Sequence, residues 1–386
     1  MNVNKIRLIH FRNFGDVSLG FHSSLNVFIG NNAQGKTNII ESVYTLLRGS
    51  SYRTKDDDNL ISWQEKKSYL LGEVQKDNKE CFQINILLQN INPQDHLFPK
   101  TKKIIKVNKK YQKKSWLLQR FKPVVFTPED LQIVKSSPTV RRKFLDEVII
   151  NLNPIYDQYL KDYNRILFQR NILLKNEKNS NNLIRQLSIW NEKIIELGTL
   201  IILYRIKTLQ LLNQKVKDIH QMMTENKENL KLKYNSNVLT SFTEDKEEIR
   251  KILAQKINSA QERDFRLKVT TIGPHRDDYL IINNKIDLGI YGSQGQQRTA
   301  VLALKMAELE ILKEKENEYP PLLLDDVTSE LDLERRRFLM QLITEKPLQT
   351  FITSINLDDL TQVKNINIKN RKVFRVRNGT VEGNEQ

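Results

Sequence analysis

A glycine-rich stretch near the start of the chain has the spacing of a phosphate-binding loop. It has the pattern G-x-x-x-x-G-K-T, with Gly30, Gly35, Lys36 and Thr37 at the fixed positions. The glycines allow backbone N–H groups to turn inward around phosphate oxygens, and a following helix adds the positive end of its dipole. Lys36 is then expected to reach the β- and γ-phosphates, and the Thr37 hydroxyl to bind Mg²⁺. The candidate nucleotide-binding residues of this loop are Gly30, Asn31, Asn32, Ala33, Gln34, Gly35, Lys36 and Thr37.

A second stretch provides two adjacent carboxylates at the end of an apolar run. The residues Leu322, Leu323 and Leu324 lead into Asp325 and Asp326. An apolar strand that ends in a carboxylate places this group at the carboxyl edge of a sheet, where ligands bind in α/β folds. Because Mg²⁺ prefers a hard oxygen ligand together with phosphate and water, we expect Asp325 to hold the metal. Asp326 is then placed to orient or deprotonate the attacking water.

Two further stretches are useful only if a second copy of the chain faces the first. Ser293, Gly295 and Gln296 open a predicted helix, with Ser293 as its N-cap. The backbone and hydroxyl at such a helix start suit a γ-phosphate that another subunit presents. The other stretch, Ser329 to Asp332, follows the two carboxylates closely. Together the four stretches predict an ATPase that forms a homodimer with ATP between its protomers.

The hydrophobic pattern places each of these stretches next to a regular element. Residues 24 to 29 form a predicted buried strand that leads into the glycine loop, and residues 37 to 47 have helical spacing. Further along, the pattern predicts a strand at 322 to 325, a helix from about 333 and a strand at 350 to 353. The two ends of the chain must fold together, because neither end contains a complete site.

The middle of the chain has a different period. From 130 to 265 apolar residues recur at helical spacing, most continuously over 182 to 224, with a possible strand at 230 to 238. We interpret this part as a mostly helical insertion in an α/β protein. The predicted domain boundaries are 1–125 for the first α/β part, 126–265 for the insertion and 266–386 for the second α/β part.

Composition favours a polyanionic partner and a reducing compartment. The chain has 386 residues and a formal net charge of +16. The stretch from Lys100 to Lys122 contains ten Lys or Arg and no acid, and that from Lys364 to Arg377 contains six and no acid. Such clustering favours polyanion binding over plain solvated faces. A single cysteine, no 18-residue apolar run and no apolar signal core at the start predict a cytoplasmic protein without a membrane span.

The order of the four stretches resembles that of ABC-type ATPase heads in chromosome-maintenance and recombination proteins, and in particular that of the RecF family. The matching segments extend from residue 6 to residue 359 and include Ile9–Phe14, Gly30–Asn38, Phe126–Leu131, Ser137–Asp146, Gly273–Asp278 and Ser293–Arg298. The resemblance implies an α/β fold of the ABC-type P-loop ATPase head, with mixed sheets that the helical insertion interrupts.

The same resemblance implies a function in DNA metabolism. A protein of this family is expected to bind ATP, to dimerise around it and to bind double-stranded DNA, with a preference for junctions with single-stranded gaps. The resemblance further implies cooperation with RecR and RecO in helping RecA to load at gaps, within DNA replication, DNA repair and the SOS response. ATP hydrolysis is then expected to be slow and to act as a switch.

The sequence leaves undecided which further residues complete the nucleotide site. The side-chain oxygen that a neighbouring loop offers to Mg²⁺ belongs to either Gln132 or Glu129. Arg12 either touches the nucleotide or is a surface arginine. Many ABC ATPases have a histidine after the strand that corresponds to 350–353, and this chain has none there. Sensing of the γ-phosphate must therefore differ or be weaker.

Three polar residues of the second half have alternative roles. His275 lies in a Gly-Pro turn and is expected to brace structure rather than to catalyse. Asp277 and Asp278 either face phosphate or form salt bridges.

Other functions fit only part of the pattern. An ATPase subunit of a transporter would share the fold but would lack a reason for the helical insertion and the basic clusters. A small-molecule phosphotransferase would use the glycine loop without the stretch from Ser293. A scaffold with a vestigial site is disfavoured because Lys36, Thr37 and Asp325 are all intact.

Overall fold

The computed structural model describes residues 1–91, 101–176, 181–357 and 371–385. The chain divides into two compact units, Met1–Leu131 with Glu308–Gln386, and Gln132–Ala307. Three parts of the sequence predictions lie outside the described residues, namely Lys100, residues 364–370 and the side chain of Ser329. No helix in the described ranges is long and apolar enough to cross a membrane.

Strands and helices alternate irregularly along the chain. The strands are β1 (Asn2–Phe11), β2 (Phe14–Gly20), β3 (Leu25–Ile29), β4 (Lys67–Gln75), β5 (Cys81–Asn90), β6 (Thr101–Val107), β7 (Lys110–Gln112), β8 (Val124–Phe126), β9 (Leu230–Asn235), β10 (Asp278–Asn283), β11 (Ile286–Asp287), β12 (Leu322–Leu324), β13 (Thr350–Ser354), β14 (Arg371–Arg377) and β15 (Thr380–Glu385). The helices are α1 (Lys36–Arg48), α2 (Lys114–Arg120), α3 (Gln132–Lys135), α4 (Pro138–Leu152), α5 (Ile155–Asn176), α6 (Asn181–Met223), α7 (Lys246–Ser259), α8 (Gln261–Leu267), α9 (Leu288–Tyr291), α10 (Gln294–Glu316), α11 (Val327–Glu330) and α12 (Leu333–Glu345), with 3₁₀ turns at Asp57–Leu60 and Pro128–Leu131.

The first unit contains an antiparallel sheet and a mostly parallel sheet. Over the described residues the antiparallel sheet has the strand order β2-β1-β4-β5-β6-β7, and the other has the order β15-β14-β3-β13-β12-β8. Strand β4 alternates between buried and partly exposed residues, as expected for a sheet with one face on the core. Strand β3 is buried along most of its length, which is usual for a parallel strand covered on both faces. The predicted mixture of sheets is therefore confirmed.

Helix α1 connects the two sheets of the first unit through one hydrophobic core. It contacts β4 of the antiparallel sheet and β13 of the parallel sheet. The side chains of Ile40, Val43 and Leu47 are fully buried in this core. Because burying each such side chain contributes roughly 1.5–3 kcal/mol, the helix and the loop before it have a fixed position.

The second unit combines packed helices with a small sheet. The long helix α6 contacts α5, α7 and the edge strand β9. Strands β11, β10 and β9 form a three-stranded antiparallel sheet within the described part of this unit. The predicted mostly helical insertion is therefore confirmed, and the possible strand at 230 to 238 corresponds to β9.

The boundaries between the units differ from those expected from the sequence. Strand β8 pairs with β12, and this pairing keeps residue 126 in the first unit, which ends at Leu131. Strand β9 pairs with β10, and this pairing draws residues beyond 266 into the second unit, which ends at Ala307. Strand pairing across the predicted boundaries thus decides which segments fold together.

Candidate nucleotide site

The glycine loop lies between β3 and α1 and needs glycine at both fixed positions. Gly35 is the N-cap of α1 and has a φ of 115°, a conformation that favours glycine. At Gly30 a Cβ atom would lie 2.3 Å from the carbonyl oxygen of Val376, so a side chain there would force the backbone to move. The pattern predicted from the sequence therefore reflects real backbone constraints in this loop.

Two neighbouring turns hold the loop in place. Asn13, between β1 and β2, donates through Nδ2 to the carbonyl of Gln34 (3.0 Å) and accepts from Asn38 Nδ2 (2.8 Å). The backbone N–H of Asn378, between β14 and β15, donates to Gln34 Oε1 (2.8 Å). These contacts preorganise the backbone N–H groups that a phosphate would use.

Lys36 begins α1, and its ammonium lies over the loop. Its Nζ donates to the carbonyls of Gly30 (2.5 Å) and Asn31 (2.9 Å), and the residue is only 8% exposed. Burial lowers the pKa of Lys36, whereas the charges of Asp326 and Asp325 act in the opposite direction. The two hydrogen bonds of Lys36 go to neutral carbonyls, so a phosphate group at the cleft would add a favourable charge partner.

Asp325 and Thr37 meet although 288 positions separate them in the sequence. The Thr37 hydroxyl donates to Asp325 Oδ1 (2.8 Å), and the Thr353 hydroxyl donates to the same oxygen (3.1 Å). The Tyr52 hydroxyl donates to the other oxygen, Oδ2 (3.1 Å). Burial raises the pKa of Asp325, and the three hydroxyl donors lower it. Burial and the neighbouring carboxylates raise the pKa of Tyr52, so its hydroxyl remains a donor.

The pair formed by Thr37 and Asp325 fits Mg²⁺. Both provide hard oxygen atoms, and Mg²⁺ typically takes one or two protein oxygens and fills its remaining positions with phosphate and water. Over the described residues, no group of three or more His, Cys, Asp or Glu side chains forms a metal cage. Thr37 and Asp325 could therefore hold Mg²⁺ together with a bound phosphate.

A cleft of about 430 Å³ opens at these groups, a volume within the usual range for small-ligand sites. It is lined by Asn32, Ala33, Gln34, Gly35, Lys36, Thr37, Asn38, Arg53, Asp326 and Thr353. Asp326 has a left-handed backbone (φ 52°), and its N–H donates to Thr353 Oγ1 (2.7 Å). The cleft thus brings together the glycine loop, the lysine and the second carboxylate, as the sequence predicted for one nucleotide site.

Three residues at this site were not predicted from the sequence. Tyr52 and Arg53 lie in a polar segment after α1, where no periodic pattern marks a functional side chain. Thr353 lies near the carboxyl end of β13, beside β12, the strand that Asp325 follows. Its position at the carboxyl edge of a parallel sheet is the signal that could have identified it.

Arg12 contacts a carboxylate of α1. Its Nε and Nη2 atoms donate to the two oxygens of Glu41 (2.9 and 2.7 Å), and Arg53 Nη1 donates to the same carboxylate (3.1 Å). Glu41 is fully buried, so its charge needs these partners. Arg12 is therefore neither a plain surface arginine nor one of the residues that line the cleft.

Ser293, Gly295 and Gln296 begin helix α10 in the second unit. The Ser293 hydroxyl accepts from the Gln296 N–H (3.2 Å), and Gln296 Oε1 accepts from the Ser293 N–H (3.1 Å). This reciprocal pair is a capping box, and it confirms the predicted N-cap. Ser293 is exposed, so its surface is open to a partner. The role of these residues toward a γ-phosphate stays a prediction.

The fourth stretch also ends in a helix cap. Asp332 is the N-cap of α12 and accepts from the backbone N–H of Arg335 (3.0 Å). The side chain of Arg335 also forms an ion pair with Asp332, so both contacts join residues three positions apart in the chain. The dimer role predicted for this stretch stays a prediction as well.

His275 braces structure in the second unit, as predicted. Its Nδ1 lies 2.8 Å from the Tyr163 hydroxyl, and its Nε2 lies 3.1 Å from the carbonyl oxygen of Thr270. Burial lowers the pKa of His275 to about 4. Both ring nitrogens are therefore occupied by neighbours of a neutral imidazole.

Asp277 and Asp278 are held by protein partners. Asp278 forms a bidentate ion pair with Arg141 (2.8 Å for both bonds), which confirms the salt-bridge alternative for this residue. Asp277 is buried and accepts from the Tyr234 hydroxyl (2.6 Å) and the Asn237 N–H (2.9 Å). Both side chains thus stabilise the second unit.

The contacts of Glu129 and Gln132 do not decide which of them provides the additional oxygen to Mg²⁺. Glu129 is exposed, and Gln132 Oε1 accepts from the Ser136 hydroxyl (2.7 Å). Neither residue lines the cleft. The choice between them therefore stays open.

Comparison with known proteins gives similarity along nearly the entire chain. The family model described as RecF/RecN/SMC N terminal domain matches residues 2–382. The DNA replication and repair protein RecF of Clostridium perfringens (strain 13 / Type A) is 41% identical over 384 residues, which cover 99% of this chain and 100% of that protein. The protein of the same name from Clostridium botulinum (strain 657 / Type Ba4) has the same identity and coverage.

Solved structures give the same result for the fold. The chain is similar to a structure of "the recombination mediator protein RecF-ATP in RecFOR pathway", with a TM-score of 0.86, 32% identity and coverage of 99% of this chain and 97% of that chain. An Smc head domain from Pyrococcus furiosus, at 16% identity and a TM-score of 0.55, shares the fold alone. These similarities confirm the predicted ATPase-head fold and favour the repair-protein interpretation over a transporter subunit.

Proposed function

The chain belongs to the RecF family, and on this premise we propose that it is an ATP-dependent DNA-binding protein of DNA replication and repair. The observation that carries the proposal is the hydrogen bond between Thr37 and Asp325, because it joins the phosphate loop and the metal carboxylate at one cleft. A transporter subunit would have no use for the basic surface described below. A cytoplasmic location belongs to the same proposal.

ATP is the proposed nucleotide. Its phosphates would lie on the backbone N–H groups of the glycine loop, with Lys36 as their charged partner. Mg²⁺, held by Thr37 and Asp325, would neutralise charge on the phosphates when it is bound. Asp326 would orient or deprotonate the attacking water from its position in the cleft. We propose slow hydrolysis that acts as a switch, and a solved relative described as RecF-ATP supports the choice of nucleotide.

Dimerisation is proposed to complete the site. The start of α10, with the exposed Ser293 and the partly exposed Gly295 and Gln296, would offer a hydroxyl and helix-start N–H groups to the γ-phosphate held by a second copy. Closing the dimer would then depend on ATP, and hydrolysis would release it. This coupling would give the exposed Ser293 a role beyond capping its own helix.

The experiment for this part compares Ser293→Arg with the unchanged chain by sedimentation, with and without ATP. Both proteins carry Asp326→Asn, which should retain ATP and trap the dimer. We expect the arginine to block ATP-dependent dimerisation, because its bulk and charge occupy the contact surface, and to leave ATP affinity within about twofold.

The control is Ser259→Arg, which adds the same residue at another exposed serine of the second unit. It should dimerise normally. A Ser293→Arg protein that still forms the ATP-dependent dimer would contradict the proposed contact. Loss of both dimerisation and ATP binding would show that the helix start serves the protomer itself.

DNA binding is proposed for the lysine-rich hairpin formed by β6 and β7. Lys102, Lys109 and Lys110 are exposed, and Lys106 lies over the exposed ring of Tyr111 at 4.7 Å. Lysines interleaved with an aromatic ring suit a phosphate backbone with adjacent bases. Binding of this type gives affinity for duplex or gapped DNA without sequence preference.

The test is the double variant Lys109→Glu with Lys110→Glu, measured by duplex binding at several salt concentrations. We expect weaker binding and a salt dependence (slope of log K against log salt) that is smaller by about 1 to 2, because each lost phosphate contact removes about one counterion. The matched control is Lys246→Glu with Lys251→Glu on α7, where both lysines are exposed and the first is followed by two acids. Equal losses in both variants would mean that net charge, rather than this hairpin, determines the affinity.

Cooperation with RecR, RecO and RecA follows from family membership and is part of the proposal. Solved relatives are described as acting in the RecFOR pathway, which supports this assignment. The role of RecA and the DNA-damage and SOS context are part of the same proposal and rest on the family resemblance alone.

A further inference from the structure

Three consecutive side chains after α1 contact either Glu41 of that helix or Asp325 of the nucleotide site. Ser51 Oγ donates to Glu41 (2.5 Å), Tyr52 donates to Asp325 Oδ2 (3.1 Å), and Arg53 Nη1 donates to Glu41 (3.1 Å). The two flanking residues thus attach the segment to α1 through one buried carboxylate. Tyr52, between them, is placed by this attachment.

Packing fixes the ring of Tyr52 as well. Its ring lies against the Tyr44 ring in a T-shaped arrangement, with centroids 5.3 Å apart and an interplanar angle of 80°. Such an aromatic pair contributes beyond simple burial of area. The hydroxyl therefore reaches Asp325 from a ring whose position is set by a neighbour on α1 and by the attachment of the segment.

The carboxylate of Asp325 is held unevenly by its partners. Thr37 and Thr353 both donate to Oδ1, and over the described residues Tyr52 is the donor to Oδ2. The χ2 torsion of an aspartate is broad, so donors on one oxygen alone leave its plane poorly determined. A donor on the second oxygen fixes the plane. Groups that orient a metal-binding carboxylate in this way typically change metal affinity by 10- to 100-fold when they are lost.

We propose that Tyr52 is a positioning residue for the Mg²⁺ site, because its hydroxyl fixes the orientation in which Asp325, beside Thr37, receives the cation. Tyr52 touches neither nucleotide nor metal in this role. The inference rests on the proposed function, since it assumes that ATP and Mg²⁺ bind in this cleft.

The test is Tyr52→Phe, which removes one hydroxyl and retains the ring against Tyr44. The readout is ATP affinity by calorimetry, first in EDTA and then over a series of Mg²⁺ concentrations. We expect unchanged affinity in EDTA and a 10- to 100-fold higher Mg²⁺ concentration for half of the Mg²⁺-dependent gain. Binding of Mn²⁺ to the ATP-loaded protein, followed by electron paramagnetic resonance, should weaken by the same factor.

Two further variants provide controls. Tyr69→Phe removes a hydroxyl from a partly buried tyrosine of the same unit, on β4, and should leave both affinities unchanged. Thr353→Val removes a donor from the other oxygen of Asp325 and should also raise the Mg²⁺ requirement.

Three outcomes would overturn either the positioning role of Tyr52 or the proposed function. An unchanged Mg²⁺ requirement in Tyr52→Phe overturns the inference. An equal loss of ATP affinity with and without Mg²⁺ also overturns it, because Tyr52 would then support the loop rather than the metal. If the unaltered protein itself shows no ATP binding or no Mg²⁺ dependence, the proposed function fails, and this result is separate from the behaviour of the variant.

Discussion

Each of the two units contains a group of buried charged side chains. In the first unit the group lies beside an open cleft, whereas in the second unit the charged groups bond to other protein groups. In the first unit Lys36 and Asp326 line a cleft, and the buried Asp325 bonds to Thr37 of the same cleft. Burial lowers the pKa of Lys36 and raises that of Asp325. In the second unit burial raises the pKa of Asp277 and lowers that of His275. A shifted pKa by itself therefore does not distinguish a ligand site from a structural network.

The cluster of the second unit is satisfied by protein. Arg205 donates to both oxygens of Asp146 (2.9 Å each) and to the carbonyl of Pro274 (2.6 Å), and the Tyr156 hydroxyl donates to Asp146 (2.6 Å). In contrast, the ammonium of Lys36 donates to two carbonyls of a loop whose N–H groups suit phosphate, and it lies at an open cleft. The comparison indicates that an open cleft beside the charged groups, rather than burial, distinguishes the candidate site.

The largest effect on folding is expected from Asp146→Ala. This change leaves the buried guanidinium of Arg205 without its carboxylate, which typically costs about 3–5 kcal/mol. Urea unfolding followed by circular dichroism should show a lower midpoint, with ATP affinity unchanged under native conditions. The control Asp218→Ala, at an exposed position of α6, should change stability by less than about 0.5 kcal/mol. Equal stability losses in the two variants would show that the buried pair of Asp146 and Arg205 contributes no more than an exposed carboxylate.

Lys36→Ala should have the opposite effects to Asp146→Ala, namely a loss of ATP affinity without a loss of stability. We expect ATP affinity to fall by at least about 100-fold, because the phosphate charge loses its buried partner. Stability should stay the same or rise, because the variant no longer buries an ammonium. Calorimetry measures the first effect and thermal unfolding the second, with Lys55→Ala as the exposed control. Unchanged affinity would refute the role of the glycine loop.

The smallest of these effects is the pH dependence of stability that His275 of the second unit contributes. His275 has a folded pKa of about 4, below its unfolded value of about 6.5, so only the unfolded chain takes up a proton between these values. Its contribution to stability is complete above pH 6.5 and is lost as pH falls toward 4, with roughly 1.5 kcal/mol lost between pH 6.5 and 5. His275→Gln should reduce this pH dependence in urea unfolding. An identical pH profile would assign the dependence to other groups.

The strands and helices next to the motifs could be predicted because the hydrophobic pattern of each short segment indicates its structure. A buried strand before the glycine loop and a helix after it correspond to β3 and α1, and the strand that ends at Asp325 corresponds to β12. Strand β8 was not predicted, because three residues next to Pro123 are too few for a periodic pattern. The hairpin of β14 and β15 was likewise missed, since its basic composition pointed only to charge.

The sequence by itself determined the glycine loop before α1, the position of Asp325 after a buried strand and the capped start of α10. Each depends on residue types at short fixed spacings, and these constrain the local backbone whatever surrounds it. Only the tertiary structure decided that Arg12 pairs with Glu41, that Asp278 pairs with Arg141, and that Tyr52 and Thr353 hold Asp325. These contacts join residues far apart in the chain, and their geometry is set by how the sheets and helices pack.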